Sequence, residues 1–144
     1  MKTYVDTSVL VSLYIQDANS PKADAWRQAN PVAIDLTSFH RIELRNALSL
    51  AVFQQRVTSA EAQAAWQDVQ QDMASGLLVP IPDLWGKLAR EAESLAEHHT
   101  PTIGSRSLDI LHVAAALVSG ATEFCTFDDR QRRLAQLAGL RVQP

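Results

Sequence analysis

The chain has 144 residues and one cysteine, Cys125. One thiol closes no disulfide framework and builds no thiolate zinc site. It fits a reducing, intracellular compartment. Glycine and proline are scarce, at 5 and 6 residues, which excludes collagen-like and Pro/Gly-rich disordered chains. Long hydrophobic runs are missing too. The stretch Val9–Ile15 is short, contains Ser12 and runs into Gln16-Asp17. The most apolar window, Ile110–Val118, falls far below the roughly 20 residues of a membrane span. Met1-Lys2-Thr3-Tyr4-Val5-Asp6 has no signal-peptide character. A soluble, cytoplasmic protein with no membrane contact is the expectation. Positive charge is not in excess: the net charge is −3, so no broad basic field for gripping nucleic acid exists. Of the 13 basic residues, however, 10 are Arg, the better bidentate partner for phosphate and carboxylate.

What is present is an ordinary globular composition, 47% hydrophobic and 20% charged. The length predicts one domain over residues 1–144, large enough to hold a core without staples. Lys2–Val5 reads as a strand and Thr7–Gln16 as a helix. Ser20-Pro21 reads as an N-cap and first helical position, opening a short helix through Trp26. Pro31–Ile34 reads as a second strand. A long helix from Ser38 to Gln55 carries Leu44, Ala47, Leu48, Ala51 and Val52 as one apolar stripe. Thr58-Ser59-Ala60-Glu61 is a capping box, and the helix it starts ends at Gly76. Leu77–Ile81 is a third strand, placed at an edge by Pro80. A helix follows over Leu84–Ala96, then a polar loop from His98 to Arg106. Ser107–Ser119 is an apolar, buried helix. Glu123–Phe127 is a strand, Asp129–Ala138 a helix and Leu140–Val142 a last strand. This alternation predicts an α/β fold with a mostly parallel sheet of about five strands flanked by helices.

In open parallel sheets, ligands bind beyond the carboxyl ends of the strands. Asp6 directly follows the first strand, and Asp128 follows the fourth. Glu43 lies near the apolar stripe of the long helix with no Lys or Arg three or four residues away. Asp109 stands in the first turn of an apolar helix. Each has a structural reading as well. Asp6 and Asp128 suit helix N-caps, Asp109 suits a helix N-terminus or a pair with Arg106, and Glu43 suits a solvated face. His112, one turn after Asp109, reads as a satisfied core or supporting histidine. Taken together, four carboxylates at one end of a sheet repel one another unless a cation joins them. Oxygen ligands suit Mg2+ or Mn2+. Such a cation lowers the pKa of a bound water and neutralises charge on a phosphodiester. No Ser-His-Asp order, Gly-rich phosphate loop or P-loop lysine competes.

Four blocks then stand out: Tyr4-Val5-Asp6-Thr7-Ser8-Val9-Leu10, Arg41-Ile42-Glu43-Leu44-Arg45-Asn46-Ala47-Leu48, Ser107 to Ala116, and Thr126-Phe127-Asp128-Asp129-Arg130-Gln131. In this order, with the closing Leu134-Ala135 and Ala138-Gly139-Leu140, they resemble the PIN-domain ribonucleases. The short form is similar to VapC-type toxins of bacterial toxin–antitoxin pairs. The resemblance implies a Rossmann-like PIN fold and a Mg2+- or Mn2+-dependent endoribonuclease that hydrolyses RNA by metal-activated water. It assigns Asp6, Glu43, Asp109 and Asp128 to the family's acidic positions. Asp6 and Asp109 match the direct metal ligands, and Glu43 and Asp128 act directly or through water. Asp129 adjoins Asp128 as an alternative fourth acid. Ser8, Asn46 and Thr126 line the site. The resemblance further implies a homodimer, a small antitoxin partner, and operator DNA bound only through that antitoxin. Two other readings stand beside it. One is a non-catalytic acidic pocket that receives an arginine from a partner protein. The other is a metal-dependent phosphohydrolase acting on small phosphoesters. Arg41, Arg45, Arg130, Arg132 and Arg133 are candidates for phosphate contact in RNA.

Overall fold

The computed structural model describes all residues, 1–144. Twelve elements follow in order: β1 (Thr3–Val5), α1 (Thr7–Tyr14), α2 (Ser20–Ala29), β2 (Ile34–Leu36), α3 (Ser38–Phe53), α4 (Ser59–Ala74), β3 (Leu78–Pro80), α5 (Trp85–Ile103), α6 (Ser107–Val118), β4 (Glu123–Cys125), α7 (Asp129–Leu137) and β5 (Arg141–Gln143). Every strand pairing is parallel. The ladders are β1-β4-β5 and β2-β3. The chain forms two compact units, one of Met1–Asp6 with Asp83–Pro144 and one of Thr7–Pro82.

The first unit is built on the three-stranded ladder. Its centre, β4, is buried at every residue, as a strand covered on both faces must be. Tyr4 pairs with Phe124 across the ladder and stacks on it, with ring centroids 5.5 Å apart. The Tyr4 hydroxyl meets Nδ1 of His112 at 2.8 Å, and both side chains are buried. His112 is therefore a satisfied core histidine on α6. Glu123 is a buried acid with a structural task. It pairs with Arg141 and accepts hydrogen bonds from Thr3 and Gln143. α6 is apolar nearly all round, with Ile110, Val113, Ala114 and Ala116 buried. Its partner α5 packs along it and is longer than the sequence predicts. The expected polar loop from His98 to Arg106 is helical up to Ile103, with Pro101 inside. Pro101 loses one hydrogen bond, but packing on α6 carries the helix to Gly104. There a left-handed glycine (φ 65°) ends it, its N–H bonded to Thr100 at 2.8 Å.

The second unit packs α1 against α2, α3 and α4. Ile15, Leu48, Ala51 and Ala65 form its core cluster, with Tyr14 and Trp66 packed against it. Two expectations shift here. The second strand is Ile34–Leu36, not Pro31–Ile34, because Arg27 holds the carbonyls of Asn30 and Val32 outside the ladder. The N-cap of α2 is Asn19, not Ser20. The Ser20 hydroxyl instead accepts from Asp17 N–H (2.9 Å) and donates to the Ser12 carbonyl (2.8 Å). α3 opens on Thr37, whose backbone N–H donates to Nδ1 of the buried His40 at 3.0 Å. α4 opens on the capping box read from the sequence, Thr58 with Glu61.

Cys125 closes β4 and is fully buried. Burial, with the negative charge of Asp6 beside it, pushes its thiol up from 9.0 to about 12, against a smaller opposing effect of Arg132. The neutral thiol is thus favoured in the folded state. This contribution is complete below pH 9 and falls as pH rises toward 12. In native protein at pH 8, Cys125 is expected to resist a thiol reagent and to react fully once urea unfolds the chain. Rapid stoichiometric labelling of the native protein would show that the thiol is accessible and ionised.

Candidate active site

Asp6 follows β1 by one residue. Its N–H donates to the Cys125 carbonyl at 3.0 Å, extending the ladder and placing the carboxylate at the C-terminal end of the strand. The residue is 1% exposed. A carboxylate so deep needs donors, and Thr126, the residue after β4, supplies one. Its hydroxyl donates to Asp6 Oδ2 at 2.6 Å, the short distance of a charge-assisted bond. The same hydroxyl oxygen accepts the Asp128 N–H at 3.0 Å. Asp128 then caps α7, its Oδ1 accepting from Arg130 N–H (2.9 Å) and Gln131 N–H (3.0 Å).

Gln131 carries the chain of contacts onward. It is 6% exposed, and its Nε2 donates to Asp109 Oδ1 at 3.2 Å. Asp109 stands at the third position of α6, where Oδ2 accepts the Arg106 N–H at 3.2 Å. The helix dipoles of α6 and α7 favour negative charge at both places. An unbroken sequence of hydrogen bonds thus links Asp6, Thr126, Asp128, Gln131 and Asp109. The amide of Gln131 can face the carboxylate only through its NH2 group. Its Oε1 is therefore the atom left over, and it is buried with no hydrogen-bond partner. Asp129, by contrast, is exposed on the first turn of α7 and takes no part in these contacts.

The remaining sequence candidates lie in the second unit. Glu43 is half-buried on α3, and its Oε1 accepts the Thr7 hydroxyl at 2.8 Å. Asn46 is exposed one turn further along α3. Ser8 is half-buried in α1, where its carbonyl accepts from Ser12 at 3.2 Å. Sequence reasoning did not name Thr7, the hydroxyl that donates to Glu43. It also passed over Gln131. The pair Thr7-Ser8 offers two equivalent hydroxyls, and only the rotational phase of α1 separates them. For Gln131 the available signal was its place three residues after Asp128, one turn into α7.

No group of three or more His, Cys, Asp and Glu side chains is arranged to hold a metal ion. Neutral donors hold the acids instead. The donor set is all oxygen: three carboxylates and the unpartnered amide oxygen of Gln131. Hard oxygen ligands of this kind match Mg2+ or Mn2+ and not zinc. No helix is long and apolar enough to cross a membrane.

Comparison with known proteins follows this geometry. No curated protein matches the chain. Solved structures share its fold, among them the following two. FitAcB from Neisseria gonorrhoeae superposes with a TM-score of 0.69 at 16% identity, covering 99% of this chain and 96% of that one. VapC20 from Mycobacterium tuberculosis, a sarcin-ricin loop cleaving toxin, superposes with a TM-score of 0.70 at 18% identity, covering 99% of both chains. At such identities the likeness is one of fold. The family model of the PIN domain matches residues 3–137, nearly the full length, and the chain belongs to the PIN domain family.

Proposed function

We propose that this chain is a single-domain, Mg2+- or Mn2+-dependent endoribonuclease, the VapC-type toxin of a toxin–antitoxin pair. The observation that carries the proposal is the hydrogen-bond sequence from Asp6 through Thr126, Asp128 and Gln131 to Asp109. Family membership and the fold shared with an RNA-cleaving toxin support it.

Asp6 and Asp109 are the proposed direct ligands, with Asp128 and Glu43 binding directly or through water. A bound divalent cation supplies Lewis acidity, which acidifies water and offsets charge on the phosphodiester. The protein's own part is to hold the acids in place and orient them. Thr126 donates to Oδ2 of Asp6 and orients it. Gln131 fixes one oxygen of Asp109 and presents a buried acceptor that can orient a hydrating water. Thr7 orients Glu43 in the same way, through its hydroxyl on Oε1. Ser8 and Asn46 are proposed to line the path of the substrate. The homodimer and an antitoxin that covers the acids, and that alone brings operator DNA, complete the reading.

Two results follow. Purified wild type with Mn2+ should cut total RNA into discrete fragments, and EDTA or Asp6→Asn should stop it. The melting temperature of Asp6→Asn should hold or rise, since one repelling carboxylate is gone. Equal cleavage by both proteins contradicts the assignment, and RNA left whole by the wild type favours the non-catalytic acidic pocket. Thr126→Val should cost about 1–3 kcal/mol in urea unfolding, because it strips the donor from Asp6 and the acceptor from Asp128 N–H. Thr126→Ser keeps the hydroxyl and should cost less. Equal losses would mean that methyl packing, not the hydroxyl, matters at this position.

A further inference from the structure

We propose that the groove between α3 and α4 is a binding subsite for single-stranded RNA, in which Arg41 and Arg45 take backbone phosphate and the Arg45–Trp66 pair stacks against a base. The proposal rests on the RNA reading above and adds the surface that grips the substrate away from the acids.

Arg41 and Arg45 stand one turn apart on α3, and like charges at that spacing repel. Neither has a carboxylate partner; the close neighbour of both is Trp66 on α4. The guanidinium of Arg45 lies 4.4 Å from the Trp66 ring centroid and that of Arg41 lies 6.0 Å away. Both arginines are exposed, while Trp66 is half-buried and anchored on the Leu48 and Ala65 core. The indole therefore holds two unneutralised guanidinium groups in place. They open on a groove of about 560 Å3 whose wall carries Arg45, serines and glutamines over an apolar floor of Leu48, Val52, Ala62 and Trp66, with no acidic residue. A second opening of about 520 Å3 shares Arg45, Trp66 and Gln70 and adds Arg41. In a chain of net charge −3, this is a local site for an anion.

The chemistry favours a nucleic acid strand. Guanidinium groups bind phosphate bidentately, and arginine and aromatic planes are stacking platforms for unpaired bases. The lining amides and hydroxyls suit ribose and base edges, and the apolar floor with Trp66 suits the face of a base. The location suits a flanking subsite. Arg41 and Arg45 each lie two residues from Glu43, about 200° around the helix. The strand bound there is separated from Glu43 by a helix width, about 10–12 Å, so it is held on nucleotides beside the cleaved bond.

The test uses the full-length Asp6→Asn protein and a fluorescent single-stranded 20-mer of uridine, followed by anisotropy over a KCl series. Arg41→Gln with Arg45→Gln should weaken binding roughly tenfold or more at low salt and lower the salt slope by about 1.4, from 0.7 for each phosphate contact on a single strand. Trp66→Phe, chosen because it keeps the core packed, should weaken binding several-fold with the slope unchanged. Unchanged affinity and slope in the double variant, with an unaltered melting curve, would overturn the subsite and leave the groove to an acidic protein segment. Cleavage of the same 20-mer by wild type with Mn2+ is scored separately. Arginine-dependent binding without cleavage removes the nuclease reading and keeps the RNA site; cleavage with arginine-independent binding removes the subsite alone.

Discussion

The Thr126 hydroxyl bonds two ways, and the acidic end of the first unit depends on it. As donor it satisfies an oxygen of Asp6, a carboxylate 1% exposed. As acceptor it takes the N–H of Asp128 and so sets the turn that starts α7. The constraint behind this is electrostatic. Carboxylates gathered where parallel strands end repel one another, and each must be held by dipoles that do not neutralise it. Threonine hydroxyls, a glutamine amide and helix N-terminal N–H groups meet that need. They order the acids through hydrogen bonds.

The same logic separates structural acids from functional ones. Glu123 is buried like Asp6, yet it pairs with Arg141 and accepts from Thr3 and Gln143. It is spent on the ladder. Asp6, Asp109 and Asp128 have only neutral hydrogen-bond donors among their described partners. Arg132 gives its hydrogen bonds to the carbonyls of Thr126 and Pro144. Under the proposed function the acids serve a cation, while Arg41 and Arg45 serve the phosphates of the substrate.

Much of this was legible in the sequence because it rests on local rules. The position of Asp6 and Asp128 just after strands, the Thr58–Glu61 capping box and the apolar α6 all follow from period and capping chemistry. Asp128 caps α7 as its N-cap reading expects, and it is linked by hydrogen bonds to Thr126 and Gln131. What escaped the sequence depends on tertiary packing. α5 runs through Pro101 because α6 supports it. β2 begins at Ile34 because Arg27 binds the segment before it. Gln131 was passed over because a glutamine in an amphipathic helix carries no pattern; its role appears only when α6 and α7 bring it to Asp109. Trp66 packs on the core on one side, while its pairing with Arg45 depends on α3 and α4 being in place.

The central claim is that these acids are poised for a divalent cation, and thermal unfolding with and without Mn2+ tests it most directly. The account predicts that millimolar Mn2+ raises the melting temperature of the wild type, as binding to the folded state must, and that Asp109→Asn loses the shift while remaining folded. A wild type whose melting temperature is indifferent to Mn2+, or an Asp109→Asn protein that keeps the full shift, would contradict it.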